Sequence, residues 1–492
     1  MNAAGWTIDL MPFLPELILA GGLLVLLILN LVISKNRGRM SAIVGTLLMA
    51  VIAVAAATAD ERVGIYLFGS VVQDGVTVFF RLFFCAAAVV SVGLLLFSYP
   101  DDGEPFILVV ASVLGMFLLA GAADIVTLFV ALEVVSIPSY VLAGYKRHDV
   151  RSGEAALKYV IYGALSSGLL IYGFSLLYGL TGTTSLPEMA ARLTATHSHD
   201  VALLISLILV LAGIGYKIAM VPFHFWCPDV YEGSPTAVTA FFSVLPKAAG
   251  FAALYRLISI FIPMQPAFGF TAVTLFSAAS ALTMTFGNLG AIWQTSLKRL
   301  LAYSSIAHAG YILMAFAVLA SNPAHDLYRE ATAAILFYLV VYLFMNLGAF
   351  FIVDLIERKI GSDSLTKYRG LGKTHTIPAL LLAVFLFSLT GLPPLAGFVG
   401  KFLLFAALVK AKMFVLAIIG IANTVVSLYY YVRVIREMYL QDETAEEAEV
   451  TAGSAFSWGS LAGILSLVTV IPTLVLGIWW GPLSEWISAR IW

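Results

Sequence analysis

Apolar runs of about 20 residues follow one another along this chain. Each is long enough to cross a hydrocarbon core of about 30 Å as a helix. In lipid every backbone N–H and C=O must be paired internally, so such runs fold as helices; a membrane barrel reads instead as shorter alternating segments. Roughly 14 spans can be read: 11–33, 41–59, 75–98, 105–122, 124–145, 154–180, 201–222, 236–262, 270–292, 298–320, 327–356, 377–395, 411–440 and 459–480. The chain is 61% hydrophobic and 11% charged, against about 25% charged for soluble domains. No stretch between spans is long enough for a soluble domain, so residues 1–492 read as a single all-α polytopic membrane domain. The first span, from Met11 past Leu31, is too long for a signal-peptide core and lacks a basic leader. It reads as a retained helix.

Lysine and arginine in the connections orient the spans. One alternate set holds Lys35, Arg37, Arg39, Lys146, Arg147, Arg151, Lys298, Arg299, Arg358, Lys359, Lys367, Arg369, Lys373, Arg433 and Arg436. The other holds Arg62, Arg192, Arg329, Lys410, Lys412 and Arg490. The richer set faces the cytoplasm, which puts both termini outside. The net charge of -1 and the absence of a basic tract give no reason to invoke nucleic acid. Gly361–Lys373 and the acidic run Asp442–Glu449 read as solvated loops.

Two cysteines, Cys85 and Cys227, cannot hold an iron–sulfur cluster that needs four thiolates. Of the histidines, His224 and His308 lie in or beside spans, and a hydrogen-bonded polar role is the simpler reading for each. Redox chemistry is therefore not expected within this chain, and no cofactor or metal site is.

Charge inside the apolar spans is the informative exception. Glu133, Lys217, Lys247 and Lys401 lie near the middle of spans, with His308 in LLAYSSIAHAGYI and Lys158 a turn into the sixth span. A charged residue at mid-span costs at least about 2.5–3.5 kcal/mol by insertion scales. A structural ion pair could explain Glu133 with one lysine; it cannot neutralise three. An ammonium removed from water gives up its proton more readily, whereas a carboxylate nearby favours keeping it, so this residue set suits a proton relay. Arg81 and Arg256 lie close enough to span ends to snorkel outwards. Asp124 suits a helix start, His224 and Asp229 are candidates for lining a cytoplasmic entrance, and Tyr231, Ser234 and Thr236 read as turn or capping residues.

The seventh and twelfth spans share a design. GYKIAMVPFHF carries Lys217 into a break at Pro222, and TGLPPLAGFVGK repeats a Pro/Gly break beside Lys401. Interrupted helices in corresponding positions point to an inverted repeat with its pathway at mid-membrane. The expected division is three helices in 1–104, one five-helix repeat in 105–262, a second and inverted one in 270–440, and a last helix at 459–480. Glu133 then matches His308, and Lys217 matches Lys401.

The segments KIAMVPFHFWCPDVYEGSPT, LKRLLAYSSIAHAGYIL and SLTGLPPLAGFVGKF resemble the antiporter-like membrane subunits of proton-pumping NADH:quinone oxidoreductase, respiratory complex I. The likeness covers spans four to thirteen. Lys401 and the span count suit the N-type branch rather than the M type, which has a glutamate on the twelfth span, or the longer L type. The resemblance implies two half-channels joined by a central line of charge. Glu133 is then the carboxylate paired with the pumping lysine Lys217, Lys247 and His308 are connecting groups, and Lys401 is the terminal residue facing the outer half-channel. Lys158 and His224 are further candidates. It also implies that flavin, iron–sulfur clusters and quinone lie in partner subunits of a respiratory-chain translocase in the bacterial inner membrane. A component of a multisubunit sodium/proton antiporter, which shares the fold, is the alternative; a scaffold that conducts nothing leaves the mid-span lysines unexplained.

Overall fold

The computed structural model describes residues 10–58, 63–196, 201–262, 271–441 and 456–491; the acidic run Asp442–Glu449 lies outside them. Nineteen helices are present among the described residues: α1 Leu14–Val32, α2 Arg37–Thr58, α3 Gly75–Ser98, α4 Glu104–Ala120, α5 Ile125–Ala143, α6 Val150–Thr181, α7 Leu186–Thr196, α8 Val201–Ile218, α9 Trp226–Gly233 and α10 Thr236–Phe261. They continue with α11 Ala272–Ile292, α12 Leu297–Ala320, α13 His325–Ile360, α14 Leu371–Thr374, α15 Thr376–Thr390, α16 Ala396–Lys410, α17 Phe414–Leu440, α18 Leu461–Ile478 and α19 Gly481–Arg490.

Twelve helices are long and apolar enough to cross a membrane, and α15 makes a thirteenth when joined to Leu365–Thr374, from which it turns by 119°. The apolar α4 is shorter, at 17 residues. Together these helices occupy every span read from the sequence, and the chain is a multi-pass membrane protein whose spans are all helical.

Local chemistry sets many of the boundaries. Asp74, Asp124, Asp149 and Ser296 each accept a backbone N–H at the start of α3, α5, α6 and α12, pairing donors that a helix start leaves open. Gly182, Gly361 and Gly391 end α6, α13 and α15 in the left-handed conformation.

The centre of the protein is α10, which packs against α3, α4, α5, α8, α9, α12 and α13. It is buried on every side along most of its length, as a helix with no lipid-facing side should be. Beside it runs α13, 36 residues and about 54 Å long, in contact with α10, α12, α15, α16 and α18.

Three features depart from the sequence reading. A short hairpin, β1 Gly64–Tyr66 paired antiparallel with β2 Val71–Gln73, precedes α3. The Gly361–Lys373 connection is not simply solvated: Leu365, Tyr368 and Leu371 are buried. Its backbone joins the start of α12 through Leu297 N–H to Asp363 O at 2.8 Å and Leu365 N–H to Thr295 O at 2.8 Å. The snorkelling expected of Arg81 and Arg256 is also corrected. Arg81 is completely buried and forms an ion pair with Glu16 of α1 at 2.6 Å. Arg256 reaches Asp74 at 2.6 Å and the Ala120 carbonyl at 2.6 Å. Both arginines had partners brought from distant sequence, so neither needs water.

Candidate functional site

The two broken helices position two of the mid-span lysines, and they do so differently. At the first break α8 ends at Ile218, before the proline, because Ala219 already adopts φ +57°. Backbone groups released there find partners: Val221 N–H donates to Thr283 Oγ1 at 3.0 Å, and the Trp226 indole donates to Tyr216 O at 2.9 Å. Trp226 is fixed by stacking on Tyr159, centroids 4.6 Å apart. Irregular backbone at this depth is tolerated on such terms. Lys217 lies in the last turn of α8, before the break.

At the second break the order reverses. Lys401 lies on α16, after the break, and reaches back to donate to Leu389 O at 3.1 Å and Thr390 O at 2.8 Å. It thereby caps the C-terminus of α15, the negative end of the helix dipole. Gly391 is required there twice over: φ is +90°, and an added Cβ would lie 2.9 Å from Lys401 Cδ. Val221–Pro222 and Pro393–Pro394 are both cis.

Lys217, Lys247, His308 and Lys401 are each at most 3% exposed. No carboxylate lies within 4.0 Å of these lysines among the described residues; what meets them is neutral. Lys217 Nζ donates to Ser136 Oγ at 3.0 Å. Glu133, one turn from Ser136 on α5, accepts a short hydrogen bond from Ser167 of α6 and is within electrostatic reach of Lys217 without touching it. The stem of Lys217 packs on Gly250 of α10, where a methyl would approach within 3.3 Å. One turn away on the same helix, Lys247 Nζ donates to Ser305 Oγ at 2.6 Å and lies over the Tyr231 ring at 5.4 Å.

Helices α12 and α13 carry the line onward. On α12, Ser305, His308 and Tyr311 share a face, being three residues apart, and Ser304 lies one turn from His308. His308 Nδ1 meets Tyr338 OH at 2.6 Å, and its Nε2 meets Tyr431 OH at 3.4 Å. Tyr311 presents its ring to Lys401 Nζ at 4.5 Å. On α13, Tyr338, Tyr342 and Asn346 recur every fourth residue and reach His308, Ser305 and Ser243 in turn.

Lys217, Lys247, His308 and Lys401 thus form a buried line across the packed helices α8, α10, α12 and α16, each met by hydroxyl, aromatic or carbonyl groups, and Glu133 lies part-buried beside the Lys217 end. Sequence reasoning singled out the charged members and missed the connectors. The signal was present in the i, i+4, i+8 spacing of Tyr338, Tyr342 and Asn346 within an otherwise apolar run.

Lys158 is not on that line. Its side chain is 36% exposed and pairs with Glu154 at 2.8 Å and Asp229 at 2.6 Å. Asp229 and Glu232 also hold Arg299 at 2.6 and 2.8 Å, around an open cavity of about 290 Å³. His224 is buried in the turn between α8 and α9, its ring 4.5 Å from that of Phe225. No cluster of three or more His, Cys, Asp or Glu side chains able to hold a metal ion occurs among the described residues.

A family model described as the membrane-spanning domain of NADH:quinone oxidoreductase and Mrp antiporters matches residues 122–427, the segment that carries the whole line. The chain belongs to this family. A curated relative named NADH-quinone oxidoreductase subunit N, from an Anaeromyxobacter species, is 42% identical, covering 97% of this chain and 96% of the relative. The subunit N of Chlorobium chlorochromatii is also 42% identical, over 96% of this chain and 93% of that protein. Among solved structures, a chain of respiratory complex I from Thermus thermophilus with bound aureothin is 31% identical, with TM-score 0.77, over 97% of this chain and all of that one. A chain of the Mrp complex from a Dietzia species shares the fold, with TM-score 0.80 at 23% identity, over 98% of this chain and 96% of the other.

Proposed function

We propose that this chain is the N-type proton-translocating membrane subunit of a complex-I-type NADH:quinone oxidoreductase. One observation carries the reading: three lysines and a histidine are buried in line across the membrane domain, with hydroxyls and carbonyls rather than carboxylates as partners. Such a cation is costly to bury and is held by groups that do not neutralise it, so its proton is free to exchange. The 42% identity to two proteins named subunit N, over almost the full length, favours this assembly over an antiporter complex. The likeness to the Mrp chain supports the shared fold alone.

In this reading Lys217 takes a proton from the cytoplasmic side, Lys247 and His308 pass it across α10 and α12, and Lys401 releases it outwards. Glu133 modulates Lys217 by distance. Separated from the ammonium by Ser136 and Ser167, it would favour the charged lysine if it moved closer. The chain works as one subunit of the translocase, and flavin, iron–sulfur clusters and quinone are assigned to partner subunits. The two five-helix units, 105–262 and 270–440, are assigned as inverted repeats, with both termini on the outer side of a bacterial inner membrane.

The test is proton translocation per NADH oxidised in sealed vesicles, for the wild type and for Lys217→Ala, with assembly checked by affinity capture of the whole complex. Loss of pumping in an assembled complex is expected. Normal pumping by the assembled variant would refute the relay, and capture of a small particle without NADH oxidation would favour the antiporter alternative.

A further inference from the structure

Both lysines at the breaks are buried, but their electrostatic surroundings differ. Lys217 has the Glu133 carboxylate within reach. No acidic side chain among the described residues plays that part for Lys401. Two of the three N–H bonds of its ammonium go to Leu389 O and Thr390 O. Beyond them lies the Tyr311 ring, its centroid 4.5 Å from Nζ, inside the roughly 6 Å over which a ring face attracts a cation. Lys247 also lies over a ring, that of Tyr231, but at 5.4 Å.

We propose that Tyr311 is the positioning residue of Lys401: its ring face does for the last lysine what Glu133 does for the first, holding the charge of the ammonium and so setting when the proton is let go. This rests on the relay reading. The attraction of a cation to a π face strengthens when both are withdrawn from water, and Tyr311 and Lys401 are 1% and 3% exposed. A neutral amine still has two N–H bonds, enough for both carbonyls. What it gives up is the pull of a full charge on the ring. The ring therefore favours the charged lysine while offering no oxygen that could take the proton.

The rest of Tyr311 is held for this task. Thr424 Oγ1 donates to Gly420 O at 3.1 Å, so in its 3.1 Å contact with Tyr311 the phenol O–H is the donor. That bond ties the ring to α17 and gives the hydroxyl a partner of its own. The ring also lies 5.9 Å from the His308 imidazole, three residues earlier on α12. Among the helices packed on α16, the other titratable groups near Lys401 are His308 on α12 and Tyr338 on α13, which packs on Gly400. Tyr431 of α17 meets His308 instead, and α15 and α18 carry no titratable side chain.

The experiment uses the intact assembled enzyme in sealed vesicles, with assembly checked by affinity capture. Protons translocated per NADH oxidised are measured against pH for the wild type, Lys401→Met, Tyr311→Phe and Tyr311→Leu. Phenylalanines bearing one, two or three ring fluorines are also placed at position 311. Fluorine drains electron density from the ring face while hardly changing its size. Because the ring favours the charged lysine, weakening it lets the proton go at lower pH. Tyr311→Phe is expected to keep the wild-type profile. The alkaline limb should move to lower pH with each added fluorine, and by about one pH unit in Tyr311→Leu. A profile unchanged through the fluorine series and in Tyr311→Leu, beside a deficient Lys401→Met, would overturn the role of the ring and leave the relay standing. A defect in Tyr311→Leu without a graded shift among the fluorinated rings would assign Tyr311 to packing and also overturn it. So would a Tyr311→Phe profile matching that of Tyr311→Leu, which would give the role to the hydroxyl. Wild-type pumping by assembled Lys401→Met would reject the relay itself.

Discussion

Two regions of this protein bury charge, and they treat it in opposite ways. Around the start of α3, Arg81 meets Glu16 and Gln73 at 2.6 and 2.5 Å, and Arg256 meets Asp74 at 2.6 Å. Along the centre, Lys217, Lys247 and Lys401 meet a serine, a serine and two carbonyls. Both arrangements offset part of the cost of leaving water. An opposite full charge favours the ionised form of each partner. A neutral acceptor orients a lysine without fixing its proton. The first region ties helices together, and the second leaves its lysines without a counter-charge, as the proposed relay requires.

The largest effect that would test this contrast is Arg81→Ala. Breaking a buried pair strands the other charge and costs about 3–5 kcal/mol. Thermal unfolding of the detergent-solubilised complex should show a large loss of stability, with Glu16→Gln/Arg81→Met recovering most of it. If Arg81→Ala instead assembled at full stability and failed only in pumping, the division between the regions would be wrong.

Within the central line the contrast sharpens between the two lysines at the breaks. Lys401→Met leaves the Leu389 and Thr390 carbonyls without their donor, at about 1–3 kcal/mol for each unsatisfied group. Lys217→Met strands no comparable acceptor, since Ser136 also donates to Leu132 O at 2.7 Å. Both variants should lose pumping, and Lys401→Met should melt at the lower temperature. Equal melting temperatures would remove the capping role of Lys401.

The Asp74–Arg256 pair should also respond to acid. Burial alone would lift the Asp74 carboxyl, but the Arg256 guanidinium and the Thr77 donors hold it below the usual carboxylate range. A group depressed on folding contributes stability that is complete above its unfolded value, about 3.9, and is lost as pH falls through its folded value. Unfolding followed against pH should therefore show a decline on the acid side that Asp74→Asn lacks.

The smallest effect is expected at the rim. Lys158→Ala removes two part-exposed ion pairs, each worth about 0.2–1 kcal/mol, and should leave proton translocation close to wild type. A pumping defect as deep as that of Lys217→Ala would move Lys158 onto the path.

How much of this was legible in the residues follows from the range of each interaction. Helix number, helix placement and the two breaks are local properties. A run of about 20 apolar residues must pair its own backbone in lipid, and prolines at 222, 393 and 394 interrupt that pairing wherever the chain later packs. The charged members of the central line stood out for a similar reason, because a lysine among leucines and glycines is anomalous before any fold is known. The fate of Arg81 was not legible, since Glu16 lies 65 residues away in sequence. Nor were the connectors: serines and tyrosines are common in membrane helices, and only contact shows which of them meets a lysine. Sequence by itself determined that this chain crosses a membrane many times and carries charge inside its apolar spans. Only the tertiary structure decided which charges are neutralised and which are left to hydroxyls, because that choice is made by side chains on different helices meeting within 3 Å or so.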